Sequence, residues 1–236
     1  MRASVRAIFP SFTASFEGYT TYMYLDVLGN VTTGAGNLID PMSVALTLPW
    51  KVDGAQATAQ QIANAWQTVK NRTDLERGGG DAYAALTNVR LSTSDVDILV
   101  TQRLLSDETE LVRRYPSFES WPADAQLGIL SMAWAMGPDF NFPEFRAAIN
   151  RGDFLTAAAQ CHMSNGDPDR NAAQAALFTA AAAVLSGGGD VNAIHGPISK
   201  QSAKHFVQAA IVGGGFGVAG LLFVAGAAYF GYRYFL

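Results

Sequence analysis

Glu17 and Asp26 stand nine residues apart in Phe16-Glu17-Gly18-Tyr19-Thr20-Thr21-Tyr22-Met23-Tyr24-Leu25-Asp26, and a Thr32-Thr33-Gly34-Ala35-Gly36-Asn37 run follows. Two carboxylates in apolar, aromatic sequence are the parts that glycoside hydrolysis needs. One must donate a proton to the departing oxygen, and the other must position a water or stabilise positive charge on the sugar. Burial among apolar groups keeps a carboxyl protonated near neutral pH. Glu17, following Phe16, is the candidate acid. Asp26 is the candidate anion, Thr32 offers a hydroxyl for a water, and Gly34 and Gly36 let a polysaccharide approach the backbone. Unrelated surface carboxylates also occur at this spacing, so the residues alone leave both readings open.

The elements that must position these groups are short. An N-terminal helix carries Phe12, Phe16 and Glu17. Thr21 to Leu25 and Val31 to Gly34 read as strands, with Leu28-Gly29-Asn30 as the turn between them. Strand character is confined to this hairpin. Downstream the pattern is helical. Thr58 with Gln61 forms a capping box before Ile62, Ala65, Trp66 and Val69. Ser92 to Asp95 opens a helix that ends near Tyr115-Pro116. Pro122 starts an all-apolar helix that Gly137-Pro138 stops, and such a helix belongs at the centre of its domain. Phe142 to Ile149, Phe154 to Cys161 and Asn171 to Leu185 complete the helices. The predicted class is α+β, with a small β-hairpin lobe and a larger helical lobe.

Glu17-Gly18, Tyr24-x-Asp26, Gly29 and Thr32-x-Gly34-x-Gly36 together resemble the active-site segment of the bacteriophage-type lysozyme (muramidase) family. The resemblance covers roughly residues 12 to 185. It implies a lysozyme-like fold and cleavage of the β-1,4 bond between N-acetylmuramic acid and N-acetylglucosamine in peptidoglycan. It makes Glu17 the general acid, has Asp26 and Thr32 position the attacking water, and implies inversion at the anomeric carbon. Ser131-Met132-Ala133-Trp134-Ala135-Met136-Gly137 is similar to the family's central helix end, where an aromatic residue borders the cleft, so Trp134 is a candidate sugar contact beside Gly34, Gly36 and Asn37, although Trp134 and Met136 at helical spacing read first as core residues. Pro168-Asp169-Arg170 is similar to the element whose arginine pairs with the catalytic Glu, which assigns Arg170 to Glu17. The chain departs from the pattern at Asn37, where the family often has His, and at Asp40 to Arg90, which replaces a shorter connection. Two rival readings remain. One is a lytic transglycosylase on a related fold, which needs no water-positioning carboxylate. The other is a wall-binding membrane protein without catalysis.

Charge narrows the partners. The net charge is −4 and no basic block of five or more residues occurs, which argues against nucleic acid as a partner. The single cysteine, Cys161, permits no intramolecular disulfide and reads as a small buried hydrophobe. His162, His195 and His205 lack ligand spacing, so neither metal nor other cofactor is expected. Met1 to Phe12 lacks the apolar run of a secretory leader.

The C-terminus carries 27 uncharged residues from Phe206 to Tyr232, long enough for a membrane helix. Gly213-x-x-x-Gly217 and Gly215-x-x-x-Ala219 are small-residue ladders of the kind that pack on a partner helix. The predicted organisation is a catalytic domain at 1–185, a flexible linker at 186–204 and a transmembrane tail anchor at 205–236. A free linker of about twenty residues spans on the order of 25 Å, enough to let the catalytic lobe reach from a bilayer into a wall. A virion membrane or a bacterial membrane is the expected location.

Overall fold

The computed structural model describes residues 1–200. The predicted membrane span lies outside the described residues, and among those described no helix is long and apolar enough to cross a membrane. In chain order the elements are α1 (Ala3–Glu17), β1 (Thr20–Leu25), β2 (Val31–Gly34), β3 (Asn37–Leu38), α2 (Met42–Ala45), β4 (Lys51–Val52), β5 (Ala55–Gln56), α3 (Ala59–Lys70), β6 (Val89–Arg90), α4 (Thr93–Arg114), α5 (Ala123–Met136), α6 (Pro143–Asn150), α7 (Phe154–Gln160) and α8 (Pro168–Gly187). The mixture of helices and small sheets is α+β. The described chain divides into two compact units, Glu17–Arg103 and Met1–Phe16 with the described residues from Leu104 onward.

In the smaller unit β1, β2 and β3 form an antiparallel meander. Tyr24 pairs with Thr32 and Leu25 with Val31, while Thr32 and Thr33 pair with Leu38 and Asn37. The segment from 40 to 90 adds a second sheet, ordered β5-β4-β6, where the sequence pattern predicts no strand. Its strands are two residues long, too short to show alternation. The same segment buttresses the hairpin. α3 begins at the predicted Thr58–Gln61 capping box and buries Ile62, Ala65, Trp66 and Val69. Trp66 Nε1 donates to the Ile39 carbonyl at 3.0 Å. Lys70 Nζ donates to the Gly29 carbonyl at 2.7 Å and to Asp40 Oδ2 at 2.6 Å. That ammonium holds the Asp40 carboxyl below the usual range. Gly29 sits in the hairpin turn, so the added helix ties down the loop that follows Asp26.

The larger unit is built around α5, whose residues from Ala123 to Trp134 are all buried. Gly128 lets α8 come close: a Cβ there would stand 3.0 Å from the Phe178 ring. Tyr115, Phe118, Trp121 and Phe154 form an edge-packed aromatic cluster, and such pairs favour tilted rings for quadrupolar reasons. Cys161 is buried, and burial pushes its thiol up to about 12.

The predicted linker differs in structure. α8 begins at Pro168, ahead of the predicted Asn171, and runs through Ser186 and Gly187. Gly188, at φ 69°, caps it by donating to the Val184 carbonyl. Beyond it Val191, Asn192, His195, Gly196 and Lys200 are bonded back onto the helical unit. The reach of a free tether therefore does not apply to residues 190–200. The Ser-Gly-Gly-Gly sequence disguised this, because the bonds are made by partners far away in the chain.

Candidate active site

Glu17 is the last residue of α1, and Gly18 at φ 74° breaks the helix there. Such a left-handed residue after a helix favours glycine. Glu17 is half-buried, and it belongs to the same unit as the hairpin that carries Asp26 and Thr32. Tyr24 is the residue through which the group can be located. It stands directly across the ladder from Thr32 and two residues before Asp26. Its phenol is pushed up to about 12, by burial first, then by Glu17 and Asp26, with the Gly36 backbone bond opposing. Both carboxylates therefore act on the phenol of the residue whose backbone pairs with Thr32.

Asp26 builds its own turn. Its Oδ1 accepts from Leu28 N and Asn30 N, each at 2.9 Å, and Oδ2 accepts from Asn30 Nδ2 at 3.3 Å. The backbone closes the same turn, Asp26 N to the Asn30 carbonyl and Gly29 N to the Asp26 carbonyl, both at 3.0 Å. Oδ1 is committed to the loop, whereas among the described residues Oδ2 has only the long amide contact. Thr32 is buried, and its Oγ1 donates to the Asn30 carbonyl at 3.3 Å. Asn30 thus bonds to both candidate water-holding residues. Asn30 is not singled out by the sequence, and Tyr24 enters there only as part of the Tyr24-x-Asp26 string, with no role assigned. Asn30 looks there like an ordinary turn residue, and Tyr24 like one of several aromatic strand positions.

The glycines have local reasons to be glycine. Gly34 and Gly36 lie at φ 67° and 83°. A Cβ on Gly34 would come within 2.7 Å of Asn37 Oδ1 and 3.2 Å of Val96 Cγ1. Asn37 is buried and turns its Oδ1 toward Ala35 N at 3.3 Å, closing the β2–β3 bend. The Gly36 carbonyl accepts from Arg103 Nη1 at 2.8 Å. Gly34→Ala should therefore destabilise the protein by about 2–4 kcal/mol, combining left-handed strain with overpacking. The urea unfolding midpoint reads this loss, and an unchanged midpoint would refute it.

Two candidates belong to the larger unit. Trp134 is 2% exposed, with its ring 5.3 Å from that of Phe9. It packs the core and offers no exposed face as a sugar platform. Arg170 is 4% exposed, and its guanidinium lies 5.0 Å from the centroid of Phe16, the residue before Glu17. α8 delivers it there, with Asp167 capping the helix through Asp169 N. Among the described residues no group of three His, Cys, Asp or Glu is placed to hold a metal ion.

No family model matches the chain, and no curated protein matches it.

Proposed function

We propose that the chain is a peptidoglycan hydrolase of the muramidase type, cutting between N-acetylmuramic acid and N-acetylglucosamine. The supporting observation is the shared neighbourhood of Glu17, Asp26 and Thr32 around Tyr24. Glu17 gives its proton to the glycosidic oxygen as the bond to the anomeric carbon breaks. Asp26 Oδ2 and the Thr32 hydroxyl hold a water on the opposite face. That water loses a proton to Asp26 as its oxygen bonds to the anomeric carbon, so the product forms with inverted configuration. Residues 205–236 are the proposed membrane anchor, with the small-residue ladders open to a second helix. A membrane-containing virion or a bacterial membrane is the proposed location, with the catalytic part facing the wall.

Product analysis tests the reaction. Purified cell wall digested by the full chain in neutral detergent should yield reducing muramic acid ends, seen by mass spectrometry, with the inverted anomer appearing first by NMR. Anhydro-muramic ends would replace hydrolysis by transglycosylation, and an undigested wall would remove the enzymatic reading.

A further inference from the structure

Asp124 is fully buried at the start of α5, and the proposed hydrolysis gives it no role. Its Oδ1 accepts from His195 N at 2.9 Å and from Gly196 N at 2.8 Å. Its Oδ2 is buried without a hydrogen-bond partner among the described residues. The two donors lie in the stretch that follows α8. Around this point the stretch is pinned at further places. Ala123 N donates to the Val191 carbonyl at 2.8 Å. Arg2 Nη1 donates to Asn192 Oδ1 at 2.7 Å, and Ser4 Oγ donates to the Asn192 carbonyl. Gly196 is pressed so close to α8 that a Cβ would meet Leu177 Cδ2 at 3.0 Å. At the far end Lys200 Nζ pairs with Asp167 Oδ2 at 2.7 Å and lies 5.6 Å from the Phe16 ring centroid.

We propose that residues 190–200 form a clasped strap whose docking is governed by the ionisation of Asp124, so that rising pH loosens it. A charged carboxylate with one oxygen buried and unbonded is disfavoured. Releasing the strap uncovers Asp124 to water, where the charge is solvated. The docked form therefore binds a proton more tightly than the released form. Burial pushes the Asp124 carboxyl up to about 6, against the pull of the Gly196 and His195 amides and of His195 itself.

The direction follows from linkage. A group raised in the docked state gives its full support below the ordinary value of 3.8, and that support is lost as pH rises through about 6. The released fraction should grow roughly 100-fold across that window, because each tenfold fall in proton concentration favours the released form about tenfold.

Other groups facing the strap act elsewhere. Leu177, from α8, is apolar. Arg2, from the chain start ahead of α1, holds Asn192. On the strap itself, Asp190 takes the Asn192 amide and the His195 ring meets the Asp190 carbonyl. At Asp167, burial pushes the carboxyl up, but the Lys200 bond and the backbone N–H groups outweigh it and leave it lowered. Its support for docking fails only as pH falls below the ordinary carboxylate range, outside the Asp124 window. The inference rests on the larger unit alone and stands whether or not the wall-hydrolase reading holds.

Amide hydrogen exchange on the full chain in neutral detergent, from pH 4 to 7 and corrected for intrinsic rates, tests it. Protection of His195 and Gly196 should fall about 100-fold. Ala123 should follow, and Leu130 inside α5 should stay constant. In Asp124→Asn, which keeps an acceptor but does not titrate, the strap amides should show no such slope. A flat wild-type profile overturns the proposal. So does a fall at Leu130 in step with the strap, which means global unfolding. So does an equal slope in Asp124→Asn, which assigns the titration to a group other than Asp124. If Asp124→Asn fails to fold, His195→Gln decides: it leaves the Asp124 carboxyl in place, so the slope should persist there, and its loss overturns the proposal.

Discussion

Glu17→Gln should leave the protein folded and lower wall-clearing activity by about 1000-fold, within the range attributed to a positioned general acid. Glutamine preserves the shape and polarity of the helix end but has no acidic proton to give. The side chain is half-buried at the last position of α1, so the substitution removes no core packing. The readout is the rate at which a turbid wall suspension clears, compared with binding of the variant to the same wall. Retained binding with lost clearance is the expected pair. Clearance at the parent's rate would show that Glu17 is not the acid, and the muramidase reading would fall with it. This experiment is independent of the strap, whose Asp124 clasp lies in the other unit.

Local chemistry made much of the fold legible. The α3 capping box, the Pro122 and Gly137 limits of α5, and the hairpin turn at Gly29 each depend on neighbours within a few residues. Such interactions leave a signature in a single sequence. Where the determinants are non-local, the pattern falls short. The β5-β4-β6 sheet is too brief to show a period, and β6 is separated from β4 by all of α3. The strap follows a glycine-rich stretch typical of linkers, while the groups that fix it are Arg2, Ser4 and Asp124. The candidate site divides along the same line. Glu17, Asp26 and Thr32 could be selected by residue type, but the place of Tyr24 as their common neighbour emerges only from strand register and burial. Trp134 shows the converse. An aromatic at the end of an apolar helix is compatible with either a cleft wall or a core, and 2% exposure decides for the core.

The long segment between the hairpin and α4 has a consequence for the site. Lys70 holds Gly29 and Asp40, and the Asp40 carboxylate in turn accepts from Val31 N at 3.2 Å. The turn and the start of β2 are thereby tied to α3. Arg90 lies 5.2 Å from the Tyr22 ring centroid, and Leu91 N donates to the Thr21 carbonyl at 2.8 Å. A hairpin alone is marginal in water. A loop presenting Val27 and Leu28 at 91% and 81% exposure gains little from burial of its own. The order of the Asp26 turn is therefore supplied by the added segment as well as by its own hydrogen bonds.

That turn makes Asp26 the position where structure and chemistry can be separated by paired substitutions. Asn at 26 keeps an oxygen for the Leu28 and Asn30 amides but removes the charge. Ala removes both. Asp26→Asn should fold with nearly unchanged stability and lose on the order of 100-fold or more in activity, because the water would lack a proton acceptor. Asp26→Ala should lose as much activity and, in addition, about 1–2 kcal/mol of stability as the Asx bonds vanish from a partly exposed turn. Urea unfolding measures the stability difference between the two variants, and wall clearance measures the activity. If Asp26→Asn retains full activity while Asp26→Ala loses it, the carboxylate serves the loop and not the water. If both retain activity, hydrolysis does not pass through this residue, and product analysis for anhydro-muramic ends becomes decisive. Loss in both variants, with instability confined to Asp26→Ala, is the outcome that a water-positioning anion with one committed oxygen requires.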